Sequence, residues 1–501
     1  MNRPAWLKDA VFYEIYPSSF YDSNGDGIGD INGIRQKLPY VKELGCNALW
    51  LNPCFDSPFK DGGYDVRDYK KVAPRYGTNE DLYALFSEAH ALGIRVLLDL
   101  VPGHTSEEHP WFLESGKAER NEYSDRYVWT DFWIKGTPGH PYIGGETPRN
   151  GTYMLNFFKC QPALNYGWAK VTESWQTPVF APAAKATRDA MADVMRFWLS
   201  HGCDGFRVDM ANSLVKADDE NKSYTSAIWR GIFRELRAEF PESAYVAEWS
   251  WPWQALKLAD FDMDFYLDHE ENGYHALVRA KDAYLKGNDP AFFVKDYLAR
   301  YESSRDVGYI SYITGNHDTP RLSRYLDVDR LRLAYALIFT LPGVPFLYYG
   351  DEIGMRYLDY LPTKEGGYTR TGSRTPMQWA PGKNLGFSDG RPVDLYLPVD
   401  PAEDAPTAAE QAQDPRSLLN TVKAVLALRH GCPDLQADGG FEVLHARQGD
   451  PLLVYRRGKL TLAVNPSDTP VPTGLAGTSL FLIGAFDNGV LGPCSFAVLG
   501  A

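Results

Sequence analysis

Asp209, Glu248 and Asp318 stand in three short phrases of the chain, "GFRVDMAN", "VAEW" and "TGNHD", each with an Arg, His or Trp one or two residues away. A lone carboxylate in such a phrase is usually a capping or solvated group. Three of them, each closing an apolar run, form a set that can do chemistry. Paired carboxylates suit the cleavage of a glycosidic bond: one attacks the anomeric carbon, and the other, kept protonated at neutral pH, delivers a proton to the leaving oxygen. Asp99 and His104 in "DLVPGH", Arg207 before Asp209, and His317 before Asp318 occupy the same kind of position.

Side chains so far apart in sequence converge only if the runs that carry them lie side by side. Eight runs rich in β-branched and aromatic residues read as strands: 11–20, 46–55, 94–104, 203–211, 244–250, 261–268, 309–318 and 344–354. Amphipathic stretches at 79–93, 187–202 and 330–343 alternate with them and end on Gly, which supplies a C-cap. This alternation predicts an α/β fold, a (β/α)8 barrel, in which the C-terminal strand ends share one site. About 80 residues rich in Gly, Pro, Trp and Tyr separate the third strand from its helix, a length that predicts an inserted lid or subdomain. After a last helix at 416–431, alternating runs with turn signals predict a small antiparallel β-domain. The expected division is a barrel over 1–104 and 176–432, a lid over 105–175, and a C-terminal β-sandwich over 433–501.

At 501 residues with a formal charge of −14, the chain lacks the basic face that nucleic acid or an anionic membrane wants, and a neutral or polar small ligand fits better. Aromatics at 14% can pack a core or stack on sugar faces. The six cysteines show no CxxC spacing and read as buried free thiols. The opening residues run straight into a strand without an apolar leader, and no apolar run reaches the roughly 18 residues of a membrane span, so the cytoplasm is the expected location.

"YDSNGDGIGDINGI" (21–34) carries oxygen donors at the spacing of a calcium loop: Asp22, Asn24 and Asp26 at positions 1, 3 and 5, Gly27 at 6 and Asp30 at 9. Position 12 is Gly33 instead of the bidentate Glu, and a strand precedes the loop, so it is no EF-hand. From the residues alone it is either a cation loop or a metal-free run of Asx turns.

"DLVPGH", "GFRVDMAN", "VAEW" and "TGNHD" resemble the four signature segments of the alpha-amylase family of glycoside hydrolases, and "DGGYDVRDY" and "QPALNYG" are similar to two auxiliary ones. The resemblance runs from the first strand to the β-tail. It implies that Asp209 is the nucleophile, Glu248 the general acid/base and Asp318 the residue that grips sugar hydroxyls. It implies that Arg207 holds Asp209 ionised, that His104 and His317 bond sugar hydroxyls and that Tyr64 stacks on the ring. In the oligosaccharide-cleaving branch, Asp61 and the Arg374 of "GSRTPMQW" close the pocket on a terminal glucose, and the 21–34 loop binds a structural Ca2+ through Asp22, Asn24, Asp26, Asp30 and the Ile28 carbonyl. Ala163, Gly103 and Met210 depart from that branch's usual Asp, Asn and Val, which argues against strict α-1,6 specificity.

Three activities follow from the resemblance. The first is retaining cleavage of short α-1,4 or α-1,6 gluco-oligosaccharides. The second is transglycosylation or sugar isomerisation, of the trehalose synthase kind, through the same intermediate. The third is a non-catalytic transporter subunit, a class that usually lacks the trio kept here and adds a membrane helix.

Overall fold

The computed structural model describes residues 3–500. Strands β1 (Phe12–Ile15), β2 (Ala48–Leu51), β3 (Arg95–Leu100), β4 (Gly205–Val208), β5 (Ala244–Ala247), β6 (Met263–Phe265), β7 (Tyr309–Ile313) and β8 (Val344–Tyr348) close into a parallel barrel in chain order. Each lies inside one of the eight runs read from the sequence. Alternation along a strand sends every second side chain inward. The lower interior is aromatic: Phe12 stacks on Phe346 with centroids 4.3 Å apart, and Phe265 meets Phe346 edge-on at 4.8 Å. Two residues further along the strands the interior turns polar, with Glu14 after Phe12, Asn52 after Trp50, Asp99 after Leu97, and Arg207 then Asp209 after Gly205. Gly205 is obligatory there, because its φ is +148° and a Cβ would fall 1.8 Å from the Ala244 carbonyl of the next strand.

The principal helices are α1 (Ile31–Leu44), α2 (Asn79–Ala91), α3 (Pro182–Ser200), α4 (Ser223–Glu239), α5 (Ala291–Ser304), α6 (Val328–Thr340) and α7 (Leu418–Gly431). Their starts are written in the sequence: Asp30 caps α1 through Gly33, and Thr78 and Asp81 form a reciprocal capping box on α2. Between β5 and β6 the place of a full helix is taken by a π-helical turn, Trp253–Leu258. Helix α7 packs against both α6 and α1 and closes the ring.

Between β3 and α3 the chain makes its long excursion, with a short helix Pro110–Ser115 and a hairpin of Tyr142–Gly144 against Thr152–Met154. Val128, Met154, Ala163 and Trp168 give it a small core of its own. Beyond the barrel, β9 (Glu442–Ala446), β10 (Leu453–Arg457), β11 (Leu460–Asn465), β12 (Ser479–Ile483) and β13 (Ser495–Leu499) form an antiparallel sheet in the order β9-β10-β11-β13-β12. One face, with Tyr455, Leu462 and Phe496, joins the barrel's core, while Val454, Ala463 and Ala497 pack with Leu491 in a separate cluster. Among the described residues no helix is long and apolar enough to cross a membrane, and all six cysteines are unpaired.

Two buried arginines meet beneath this sheet and bond carbonyl oxygens alone; Arg457 ties the sheet to the barrel, and Arg429 ties α7 to the end of α6. Arg457 on β10 donates to Gly440 (3.0 Å), Gln436 (2.6 Å) and Thr340, and Arg429 on α7 donates to Phe339 (2.9 Å) and Gly343 (2.6 Å). Both cations meet the C-terminal end of α6, where the helix dipole is negative and carbonyls lack intrahelical partners. Arg457→Ala strands these buried carbonyls, and chemical denaturation should register a loss of about 3 kcal/mol or more; a midpoint equal to that of the unmodified protein would show that the joint does not depend on it.

Candidate active site

The centre of the site is one guanidinium. Arg207 is 2% exposed and touches three carboxylates: its Nη1 lies 2.9 Å from Asp99 Oδ1 and 3.0 Å from Asp209 Oδ1, and its Nη2 lies 2.9 Å from Glu248 Oε2. The backbone dictates this gathering. Asp99 and Arg207 are register partners on adjacent parallel strands, and Asp209 follows Arg207 by two and so faces the same way. Met210 then turns into the left-handed region, with φ of 42°, and its N–H donates to Glu248 Oε2 at 2.8 Å. A non-glycine residue in that conformation costs of order 1–3 kcal/mol, a strain held in place by the packed strands on either side.

One cation is shared by two buried carboxylates and a third, Glu248, that is partly exposed. Burial pushes Asp99 up to about 6 despite Arg207 beside it. Burial, and next the facing Glu248, push Asp209 well above the usual carboxylate range, with Arg207 pulling the other way. The charge of Arg207 is divided among three groups, so its pull on Asp209 is opposed by burial and by Glu248.

Asp318 is set apart. Burial raises its carboxyl, but His317, Arg374 and Arg370 outweigh it and hold the group well below the usual range. Arg370 Nη1 and Arg374 Nη2 each reach Asp318 Oδ1 at 2.9 Å. Tyr64 is buried, with its ring stacked on His317 (5.3 Å, 12°) and its hydroxyl 3.0 Å from Asp99 and 2.7 Å from His317 Nε2. His104 has both nitrogens engaged within the protein, Nε2 on the Tyr64 carbonyl (3.1 Å) and Nδ1 against Asn156 Nδ2 (2.9 Å). A sugar hydroxyl would have to compete for either. Burial lowers both histidines, His104 to about 4 and His317 to about 3, so both are neutral at pH 7.

Arg207 and His317 lie behind the wall of a cavity bounded by Asp61, Tyr64, His104, Phe157, Asp209, Met210, Glu248, Asp318 and Arg370, whose volume is about 220 Å³. That is smaller than the roughly 300–1,000 Å³ of sites for drug-sized ligands and suits one sugar ring better than a chain. The residue that closes it differs from the expectation. Arg370, not Arg374, bridges the cavity from Asp318 to Asp61, with Nη2 3.0 Å from Asp61 Oδ1. Arg374 is 2% exposed and lies behind the cavity, donating to the His317 carbonyl (2.8 Å) and to Asp318. The 3-10 turn Tyr368–Ser373 carries Arg370 toward the opening, and Arg374, at its C-cap, faces inward.

The inserted segment contributes what the signature phrases did not reveal. Gln161 donates to Asp61 Oδ2 at 2.7 Å. Asn156 fills the space that a side chain at Gly103 would need, since a Cβ there would lie 2.9 Å from its Nδ2. Gln161 stood in a quoted segment without a role; nothing in the sequence marked Asn156, Phe157 or Arg370.

The five groups of the 21–34 loop fold into consecutive Asx turns. Asp22 accepts from the amides of Asn24, Gly25 and Gly27 and from Ser388 Oγ. Asn24 accepts from Asp26 N, Asp26 from Ile28 N, and Asp30 from Ser23 N, Ser23 Oγ and Gly33 N. Among the described residues no three His, Cys, Asp or Glu side chains converge as a metal cage.

Residues 14–438 match the family model described as "Alpha amylase, catalytic domain". The trehalose synthase/amylase TreS of Mycolicibacterium smegmatis is 35% identical over 475 residues, covering 85% of this chain and 76% of its own length. The oligo-1,6-glucosidase of Heyndrickxia coagulans is 33% identical over 537 residues, covering 93% of each. Among solved structures, the alpha-glucosyl transfer enzyme XgtA aligns with a TM-score of 0.82 and 28% identity over 100% of both chains.

The two arginines can be compared by kinetics and thermal denaturation. Arg370→Ala opens the cavity and strips buried Asp61 of its ion pair, so it should raise KM about tenfold or more and lower Tm as well. Arg374→Ala leaves Asp318 short of a buried partner and should cost about 3 kcal/mol of stability as well as activity. A KM unchanged in Arg370→Ala would contradict its place at the cavity.

Proposed function

We infer the activity from a fixed premise: the chain belongs to the alpha-amylase family of glycoside hydrolases. It is a retaining glycosidase that cleaves α-glucosidic bonds of short α-1,4 or α-1,6 gluco-oligosaccharides through a covalent glycosyl-enzyme intermediate. The observation that carries this reading is the single guanidinium joining Asp209 and Glu248 beside a one-sugar cavity.

In the proposed mechanism Asp209, held at Oδ1 by Arg207, attacks the anomeric carbon with its other oxygen. Glu248 is gripped at Oε2 by Arg207 and the Met210 amide, so its transferable proton belongs on Oε1, from which it passes to the leaving oxygen. Asp318, kept ionised, accepts hydroxyls of the distorted ring. The Asp61–Arg370 bridge closes the far end and favours chain ends over internal bonds.

Asp209→Asn should lower kcat by roughly 10³-fold or more with the melting temperature nearly unchanged, and proton NMR of the first product from an α-linked substrate should show α-glucose. A variant that keeps a tenth of the rate, or β-glucose as first product, would overturn the scheme. A second reading, transfer of the glucosyl unit to a sugar, is supported by the trehalose synthase/amylase and glucosyl-transfer relatives. Chromatography of products from maltose, isomaltose, trehalose, sucrose and soluble starch separates the two: two glucose per maltose with no other sugar marks hydrolysis, a new di- or trisaccharide marks transfer.

Ca2+ as a structural ion of the 21–34 loop belongs to the same proposal, and its support is the all-oxygen donor set. Each carboxyl or amide oxygen offers about two lone-pair sites. By that count Asn24, Asp26, Asp30 and the Ile28 carbonyl keep capacity for a cation, while Asp22, with four donors already, joins only by giving one up. Chelator should lower Tm and leave the turnover of surviving folded enzyme intact, and Asp22→Ala/Asp26→Ala should remove the sensitivity. An unchanged Tm on chelation would leave the loop to its own hydrogen bonds. A reducing compartment such as the cytoplasm is supported by the six unpaired cysteines.

A further inference from the structure

Glu14 is a fully buried carboxylate inside the barrel, below the catalytic cluster. Its Oε1 lies 2.9 Å from His317 Nδ1 and 3.2 Å from Asn52 Nδ2, and its Oε2 has no hydrogen-bond partner. On the other side of the imidazole, Nε2 lies 2.7 Å from Tyr64 Oη and 3.6 Å from Asp318 Oδ2, and Tyr64 Oη lies 3.0 Å from Asp99 Oδ2. The chain Glu14–His317–Tyr64–Asp99 is therefore continuous, and its protons can be counted.

If Glu14 were ionised it would accept a proton from Nδ1, and Nε2 would be a bare lone pair. That lone pair would face the Asp318 carboxylate. Tyr64, with one proton, would have to choose between Nε2 and Asp99. If Glu14 carries a proton instead, Oε1–H donates to Nδ1, Nε2–H points at Tyr64 Oη and Asp318, and Tyr64 O–H is free for Asp99. Each close contact in the chain then pairs a donor with an acceptor, whereas an ionised Glu14 leaves Tyr64 Oη facing Asp99 Oδ2 acceptor to acceptor at 3.0 Å. The charge count agrees, because Arg207 is already shared by three carboxylates and no salt bridge reaches Glu14 other than His317 itself.

We propose that Glu14 is a positioning residue whose protonated carboxyl fixes His317 in the Nε2–H tautomer, so that Nε2–H donates to Tyr64 Oη, the Tyr64 proton goes to Asp99, and the Tyr64 ring is held where it lines the sugar cavity. Burial pushes the Glu14 carboxyl well above the usual range, against the pull of Asn52 and Arg207, in keeping with the proton that the geometry requires. Glu14 acts only through His317 and touches no substrate. The sugar part of the inference rests on the glycosidase reading; the tautomer does not.

The test has one arm that needs no substrate. With histidine labelled with 15N at both ring positions, long-range 1H–15N spectra of the full chain should show His317, assigned by the signal lost in His317→Asn, with Nδ1 bare and Nε2 protonated. Glu14→Leu should change that pattern, while Glu14→Gln, whose amide N–H can replace Oε1–H, should keep it. In kinetics Glu14→Gln should retain at least a third of kcat/KM, and Glu14→Leu should lose about 10–100-fold, the range typical when an orienting partner of a working side chain is removed. A protonated Nδ1 in the unmodified protein overturns the proposal, and so does a Glu14→Gln variant as impaired as Glu14→Leu. Should the tautomer be as stated while Asp209→Asn keeps its turnover, it is the glycosidase reading that fails.

Discussion

The fold is arranged around the sharing of one buried positive charge. Arg207 is enclosed by the barrel and meets Asp99, Asp209 and Glu248 at 2.9–3.0 Å. Removing such charges from water costs several kcal/mol per ion, repaid only when every partner is in place. The three carboxylates come from three consecutive strands, so the interaction is available only after β3, β4 and β5 have paired in register. The site is thus a consequence of the closed barrel. The same sharing bears on the chemistry: Asp209 and Glu248 are each held by one oxygen, and the hydrogen bonds fix which oxygens stay free.

That arrangement needs a rigid floor. Phe12, Trp50, Phe265 and Phe346 fill the barrel below the charged layer with rings in direct contact, which excludes water from beneath Arg207 and Glu14. Low polarity below and fixed dipoles around make each charge–charge contact stronger than it would be in water. The strained backbone at Met210 survives for the same reason, since relaxing it would withdraw an amide from Glu248 while the flanking strands stay where they are.

What was legible in the sequence follows the same division. The strands were legible because parallel barrel strands are buried on both faces and read as short apolar runs. Asp209, Glu248 and Asp318 were legible because a charge that ends an apolar run is conspicuous. Glu14 carried the same signal, a single acid inside "VFYEIYP", yet its meaning depended on His317, 303 residues away. Arg370 and Arg374 lie four residues apart in one irregular segment, and only the 3-10 turn decides which of them faces the cavity. Asn156 was hidden for a related reason: the room it occupies is created by the missing side chain of Gly103, a compensation in space with no trace in spacing.

Chemistry and selectivity therefore sit on different parts of the chain. The groups that would break the bond stand on strand ends and are fixed by register; Gln161, Asn156 and Phe157, which shape the opening, come from the excursion between β3 and α3. Loops on a rigid scaffold vary with little cost to the fold. A trio of this kind can thus serve enzymes named for hydrolysis and enzymes named for transfer, as the relatives of this chain do. The covalent intermediate is common to both outcomes, and what differs is which hydroxyl reaches it first. Phe157 presents a half-exposed ring at the cavity, a flat apolar face on which a departing sugar can rest within reach of the intermediate. That ring and the Asp61–Arg370 bridge both line the cavity. The competition between acceptors is accordingly a property of two loops, and substitutions at Phe157 should shift it without disturbing the cluster around Arg207.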